Sequence, residues 1–215
     1  MTLALFDLDN TLLDGDSDHA WGMYLAEIGA VDAEQHSHRQ DQFYRQYQAG
    51  KLDIQAFLEF QLGVLAQYPL SQLQAWRSDF LKDKIQPMIE TGKTDLLEQH
   101  RAKGHDIAII TATNDFITRP IADMLGVATL IATTAERVAD GYSGKPQGTP
   151  CYQDGKVVRL REWLDDSGLG MTDSWFYSDS INDLPLLELC DNPVAVKPDA
   201  ALRSIAQARR WPIIE

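Results

Sequence analysis

The residues able to do chemistry gather at the ends of short apolar runs. Asp7-Leu8-Asp9-Asn10-Thr11 directly follows Leu3–Phe6. Two carboxylates one residue apart can converge on a metal ion, one through its side chain and one through its main chain. Taken alone, the same pair also reads as a polar loop whose carboxylates cap a helix. Ser178-Asp179-Ser180-Ile181-Asn182-Asp183 adds two carboxylates after another apolar run, Trp175–Tyr177; Asp179 could instead cap the helix near Leu184. Thr111 closes Ile107–Ile110, where its hydroxyl either meets a ligand or satisfies the strand end. Lys156 stands just ahead of the helical pattern Val157–Leu164, and Lys145, in Ser143-Gly144-Lys145-Pro146, is a rival for any lysine role.

These residues need a frame that brings strand ends together. Five apolar runs read as buried strands: Leu3–Phe6, Ile107–Ile110, Thr129–Ala132, Trp175–Tyr177 and Pro193–Val196. Helical patterns separate most of them: Thr94–Lys103 ending at Gly104, Phe116–Leu125 ending at Gly126, Val157–Leu164, and Leu184–Leu189. Alternation of this kind predicts an α/β fold, a Rossmann-like parallel sheet covered on both faces, with ligands beyond the carboxyl ends of the strands. The interval 14–86 breaks the rhythm with helix after helix. Ile54, Phe57, Leu58, Leu62 and Leu65 share one helical face, as do Leu73, Trp76, Phe80 and Leu81, and these positions read as core. Gly50 and Pro69 punctuate the run, with Ser71 a candidate N-cap. The expected organisation is a core of 1–13 plus 87–215 with an all-helical insertion over 14–86. Arg137–Gly155, rich in glycine, reads as a hairpin or loop excursion.

Composition narrows the partners. In 215 residues, 19 Lys and Arg stand against 32 Asp and Glu, a net charge of −13. That balance opposes nucleic-acid backbones and anionic membrane surfaces. No run reaches transmembrane length and the first residues do not resemble a signal peptide, so a cytoplasmic location is expected. Cys151 and Cys190 show no zinc-like spacing and are expected as free thiols. No face of the helical insertion is continuously apolar, which favours a monomer. No glycine-rich dinucleotide turn is present.

Asp7-x-Asp9-x-Thr11, Thr111, Lys156 and Asp179-x-x-x-Asp183, in this order, resemble the four motifs of the haloacid dehalogenase (HAD) superfamily of phosphatases. The helical interval resembles that family's first-position cap, and the closest branch is the phosphoserine phosphatase-like one. The resemblance implies that Asp7 attacks phosphorus, that Asp9 serves as acid and then base with a raised pKa, and that Thr111 and Lys156 bind the phosphoryl oxygens. It implies Mg2+ held by Asp7, Asp9 and Asp179 with Asp183 in support.

The family's phosphoserine enzymes receive the substrate amine on an acidic cap residue nine positions after the nucleophile. That position here is Asp16, which equally reads, with Ser17, as the N-cap of the first cap helix. Their carboxylate-binding cap arginine corresponds to Gln61, and a neutral amide cannot make the charge-assisted fork a carboxylate prefers. Arg45 is a possible substitute. An amine without a carboxylate points to L-histidinol phosphate, with phosphoserine second, and Asp14, Asp18, His19 and Trp21 are candidates to line the imidazole pocket. A phosphotransferase and a catalytically idle ligand-binding protein remain alternatives.

Overall fold

The structure, a computed structural model, describes residues 2–215. Seven strands form one sheet in the order β4-β3-β2-β1-β5-β6-β7. They are β1 (Leu3–Phe6), β2 (Asp106–Asn114), β3 (Thr129–Val138), β4 (Gly141–Gln147), β5 (Trp175–Ser178), β6 (Asn192–Val196) and β7 (Ile213–Ile214). All neighbours pair in parallel except β3 and β4, an antiparallel hairpin whose turn and second strand fall within the expected excursion. β1 is central, registered as Phe6 to Ile109 on one side and Phe6 to Tyr177 on the other.

Being parallel and internal, β1 is buried on both faces, and every residue from Leu3 to Phe6 is buried. Leu3 and Leu5 join Phe176, Leu160 and Leu202 on one side. Ala4 and Phe6 join the larger cluster that continues through Leu12, Trp21, Leu62 and Phe80 into the helical insertion. His100 lies in this layer, 1% exposed, between the Tyr177 hydroxyl and His105 Nδ1, each at 2.8 Å.

Between β1 and β2 come α1 (Ser17–Glu27), α2 (Ala33–Gln48), α3 (Ile54–Leu65) and α4 (Leu70–Phe80), which passes through a π-turn at Leu81–Ile85 into α5 (Gln86–Glu90), then α6 (Asp95–Ala102). Asp16, Asp32 and Asp53 start the first three, each carboxylate accepting N–H groups of the first turn. The fourth begins one residue before Ser71, behind Pro69 and without a side-chain cap, so Ser71 is helical rather than capping. At the base of the insertion the two chain crossings are joined: Asp14 N–H donates to the Met88 carbonyl and Lys93 N–H to the Leu12 carbonyl, both at 3.0 Å. A Cβ on Gly92 would lie 2.0 Å from the Leu12 oxygen, so only glycine allows this approach.

The remaining helices are α7 (Asp115–Met124), α8 (Asp154–Ser167), α9 (Leu184–Leu187) and α10 (Ala200–Arg209). Two expectations shift. β2 continues three residues past Thr111, and α8 begins earlier, so Lys156 lies inside its first turn rather than before it. Cys151 and Cys190 are buried free thiols. No helix among the described residues is long and apolar enough to cross a membrane.

Candidate active site

Asp7 is the first residue beyond β1, and its N–H donates to the Tyr177 carbonyl of β5 at 2.9 Å. The carboxylate therefore starts from a rigid strand end. Its Oδ1 accepts from Lys156 Nζ at 2.7 Å. The same ammonium lies 2.7 Å from Asp183 Oδ1, and Asp183 also accepts from Ser178 Oγ at 2.7 Å. Gly155 makes this reach feasible: a Cβ there would lie 2.0 Å from the Pro150 oxygen, so the start of α8 needs glycine. Burial disfavours the Lys156 charge, but Asp183 and Asp7 outweigh it and raise the pKa. Burial pushes Asp7 up to about 7, with Lys156 opposing and Asp183 adding to the rise.

Asp9 is held from two sides. Ser17 N–H donates to Oδ1 at 2.6 Å and Thr113 Oγ1 to Oδ2 at 2.8 Å. Burial, then repulsion from Asp16, brings its pKa up to about 6 in spite of these bonds. Asn10 sits at φ 57°, a left-handed turn that asparagine tolerates. Thr11 Oγ1 lies 3.4 Å from Asp7 Oδ2 and 3.2 Å from Asp179 Oδ1, spanning the two carboxylates. Asp179 is raised well above the usual range by burial and by its neighbours Asp7 and Asp183. Thr111 is buried, and its hydroxyl accepts from Thr113 N–H at 3.2 Å.

Buried carboxylates that repel one another, with one lysine between two of them, form a set of hard oxygen donors short of positive charge. Among the described residues no three His, Cys, Asp or Glu side chains converge as a metal cage. The donors present fit Mg2+, which takes one or two carboxylates and keeps several waters. Asp183 accepts from Lys156 and Ser178 beside these donors.

A cavity of about 80 Å3 opens over Asp7, Asp9, Thr111 and Lys156. Its far wall is supplied by α1, α2 and α3: Asp16, Asp18 and His19, then Phe43, Tyr44, Tyr47, Leu52, Ile54 and Phe57. Asp16 reaches it, but Oδ1 is occupied as the N-cap of α1, accepting from Asp18 N–H at 3.0 Å and His19 N–H at 2.9 Å. Asp18 is buried, with a pKa raised well above normal by burial and then by Asp16 and Asp9.

Gln61 does not line the cavity. It lies behind Asp18 and donates its amide N–H to that carboxylate, so it supports the wall instead of touching what fills it. Asp14 and Trp21 are also displaced from the expected pocket: Asp14 pairs with Lys197 at the surface at 2.7 Å, and Trp21 packs in the core against Phe80 and Phe116. Lys145 and Arg45 are exposed and away from the cavity, which leaves Lys156 as the lysine of the site. No arginine lines it among the described residues. Asn182, beside Asp183, joins core to insertion: its Oδ1 accepts from Tyr152 Oη at 2.9 Å, and its Nδ2 donates to the Tyr47 carbonyl at 3.1 Å.

The aromatic wall was not anticipated as site. Phe43 and Tyr47 lie four residues apart on α2, a spacing shared by any core-facing helix stripe, so only tertiary placement separates the two roles.

Residues 4–188 match the family model for haloacid dehalogenase-like hydrolases. The chain belongs to that family. A Histidinol-phosphatase of Neisseria meningitidis serogroup C (strain 8013) is 43% identical over 99% of this chain and 97% of its own. Phosphoserine phosphatase SerB1 of Mycobacterium tuberculosis (strain ATCC 25618 / H37Rv) is 31% identical, covering 98% of this chain and 69% of its own. Among solved structures, a Bordetella pertussis Tohama I protein of unknown function superposes with TM-score 0.93 and 44% identity, over 100% of this chain and 99% of that one. A substrate-bound phosphoserine phosphatase gives TM-score 0.71 at 16% identity, over 100% of this chain and 92% of that one, a likeness of fold. The α/β fold and the phosphatase-like neighbours expected from the motifs are thereby established for this HAD hydrolase.

Proposed function

We propose that this HAD hydrolase cleaves a small phosphate monoester carrying a cationic group, with L-histidinol phosphate the substrate best suited to the site. The observation that carries the reading is the cavity wall opposite Asp7: two carboxylates, Asp16 and Asp18, beside an aromatic surface, with no arginine. An ammonium group is attracted to both features, and an imidazole stacks on aromatic faces. The relative named Histidinol-phosphatase, similar over nearly all of both chains, supports the same substrate. Phosphoserine is the second reading, but its carboxylate would be desolvated beside acidic residues without a guanidinium to receive it.

Asp7, fixed by β1 and Lys156, is the nucleophile. Its carboxylate oxygen forms a bond to phosphorus as the ester oxygen leaves with its electron pair, giving an aspartyl-phosphate. Asp9, aimed by Ser17 and Thr113 and with its pKa raised to about 6, gives the leaving alkoxide a proton. It then removes a proton from the water that attacks phosphorus, and the Asp7 carboxylate and inorganic phosphate are released. Lys156 and Thr111 bind the phosphoryl oxygens, where charge stabilisation counts most. Asp7, the Asp9 carbonyl and Asp179 would hold Mg2+, which when bound would supply charge neutralisation between nucleophile and phosphate.

The segment 14–86 serves as a cap. At about 80 Å3 the cavity falls well short of the roughly 300–1,000 Å3 of ordinary small-molecule sites, so admitting a metabolite would require the cap to lift. The reading is of a cytoplasmic, monomeric enzyme of histidine biosynthesis. Phosphate release from L-histidinol phosphate, L-phosphoserine and p-nitrophenyl phosphate, with Mg2+ and with EDTA, tests it. A clear kcat/KM preference for histidinol phosphate is expected, and equal or higher values for phosphoserine overturn the substrate assignment.

A further inference from the structure

A second concavity, of about 480 Å3, lies outside the site and shares no lining residue with it. Four arginines converge there from four separate elements: Arg77 from α4, Arg119 from α7, Arg137 from β3 and Arg159 from α8. In a chain of net charge −13, such a concentration of one sign runs against the surface as a whole.

The bland account is that each guanidinium stabilises local structure, and part of each does. Arg119 donates to the Val127 and Ala128 carbonyls at 2.7 and 3.0 Å and pairs with Asp123. Arg159 donates to Thr134 Oγ1 at 3.1 Å and has a long 3.9 Å contact with Glu162. Arg77 donates one N–H to the Phe116 carbonyl and lies over that ring, while Arg137 donates one to Tyr142 Oη and lies over the tyrosine ring. Each guanidinium has five N–H donors, so Arg77 and Arg137 keep most of theirs. Neither has a carboxylate at ion-pairing distance among the described residues. Burial lowers the Arg77 pKa, with Tyr142 opposing the fall and the Arg137 charge adding to it. The acidic group in the groove, Asp115, is turned to the Ala135 N–H at 2.9 Å.

We propose that this groove binds a small phosphate-bearing anion, with Arg77 and Arg137 as its principal ligands. Guanidinium forks match phosphate oxygens in pairs, and stacking on Phe116 and Tyr142 orients both planes in advance. The chain's net charge of −13 disfavours a long polyanion, whereas a small anion meets only the groove. Arg77 belongs to the helical insertion and the other three to the sheet and its helices, so the bound anion ties the two together at a point outside the catalytic cavity. The proposal does not depend on which ester the enzyme hydrolyses.

Equilibrium dialysis with inorganic phosphate on the full chain tests this. Wild type is expected to bind one more phosphate per chain than R77Q/R137Q, whatever the catalytic site contributes to both. R137Q alone, at an exposed position where folding is not at stake, is expected to weaken that extra phosphate by about tenfold or more. Both variants should keep kcat/KM for p-nitrophenyl phosphate at low phosphate. A parallel arm with phenylphosphonate, which cannot be hydrolysed, separates the sources: tighter binding than phosphate assigns the site to a phosphorylated metabolite, weaker binding to the free ion. Equal stoichiometry in wild type and R77Q/R137Q, or an extra phosphate unaffected by R137Q, overturns the proposal.

Discussion

Lys156 Nζ lies 2.7 Å from Asp7 Oδ1, though 149 residues separate them in the chain. The lysine is 3% and the aspartate 9% exposed at the side chain, so solvent screens the pair little. Lys156→Met leaves Asp7 and Asp183 buried without their shared cation. A loss of about 3–5 kcal/mol in urea unfolding is expected, with kcat down roughly 10²–10³-fold. Activity close to wild type would remove Lys156 from the phosphoryl-binding role.

Asp7→Asn separates chemistry from folding. Burial raises the Asp7 pKa, so a neutral amide suits the same site, and it also removes the repulsion of Asp183. Thermal unfolding should therefore show no large loss of Tm, while phosphate release falls to background. Turnover within about tenfold of wild type would be incompatible with covalent catalysis by this residue.

Mutation should separate a capping role for Asp16 from a cation-binding role for Asp18. Asp16→Ala removes a helix N-cap and should cost about 1 kcal/mol of stability. Asp18→Asn should raise KM for histidinol phosphate about ten- to a hundredfold, the equivalent of ~1–3 kcal/mol, and change p-nitrophenyl phosphate little. Gln61→Leu, which frees the Asp18 carboxylate from its support, should move KM the same way by less. A uniform effect on both substrates would show that Asp18 does not select for the cation.

His100 gives the chain an acid-sensitive component. Burial, then the His105 and Lys103 charges, depresses its pKa from 6.5 to about 4. The unfolded chain therefore binds a proton first. The contribution to stability is complete above pH 6.5 and is lost as pH falls toward 4, at up to about 1.4 kcal/mol per pH unit. Urea titrations of wild type and His100→Asn over that window should converge at the acid end. A constant difference between them would contradict the depressed pKa.

Removing the divalent cation should silence the enzyme without unfolding it. EDTA is expected to abolish phosphate release while leaving the far-ultraviolet dichroism unchanged. Mg2+ should restore activity and Ca2+ should not, because calcium takes more ligands at longer distances.

Much of this architecture was legible because chemistry and periodicity coincided. Asp7 follows a four-residue apolar run that had to be an internal strand, and the Thr111, Lys156 and Asp183 positions gather around that strand's end in the fold. β7 was not legible, since Ile213–Ile214 is too short to show a period. β4 carries Gly141, Gly144 and Pro146, residues that argue against a strand, and is held as an edge by its hairpin partner. Gln61 was read by its alignment with a family position, yet a helix position fixes a face and not a partner. Its buried amide turned to Asp18 instead of the cavity.

The side chain of Asn182 links the turn that carries Asp183 to the helices over the cavity. It shares a single turn with Asp183 and touches both Tyr152 in the core and the Tyr47 carbonyl of α2. Lifting the helices would remove that external brace from the turn that carries Asp183. An ester meeting an open enzyme would then find a centre less firmly held than one enclosed beneath α2.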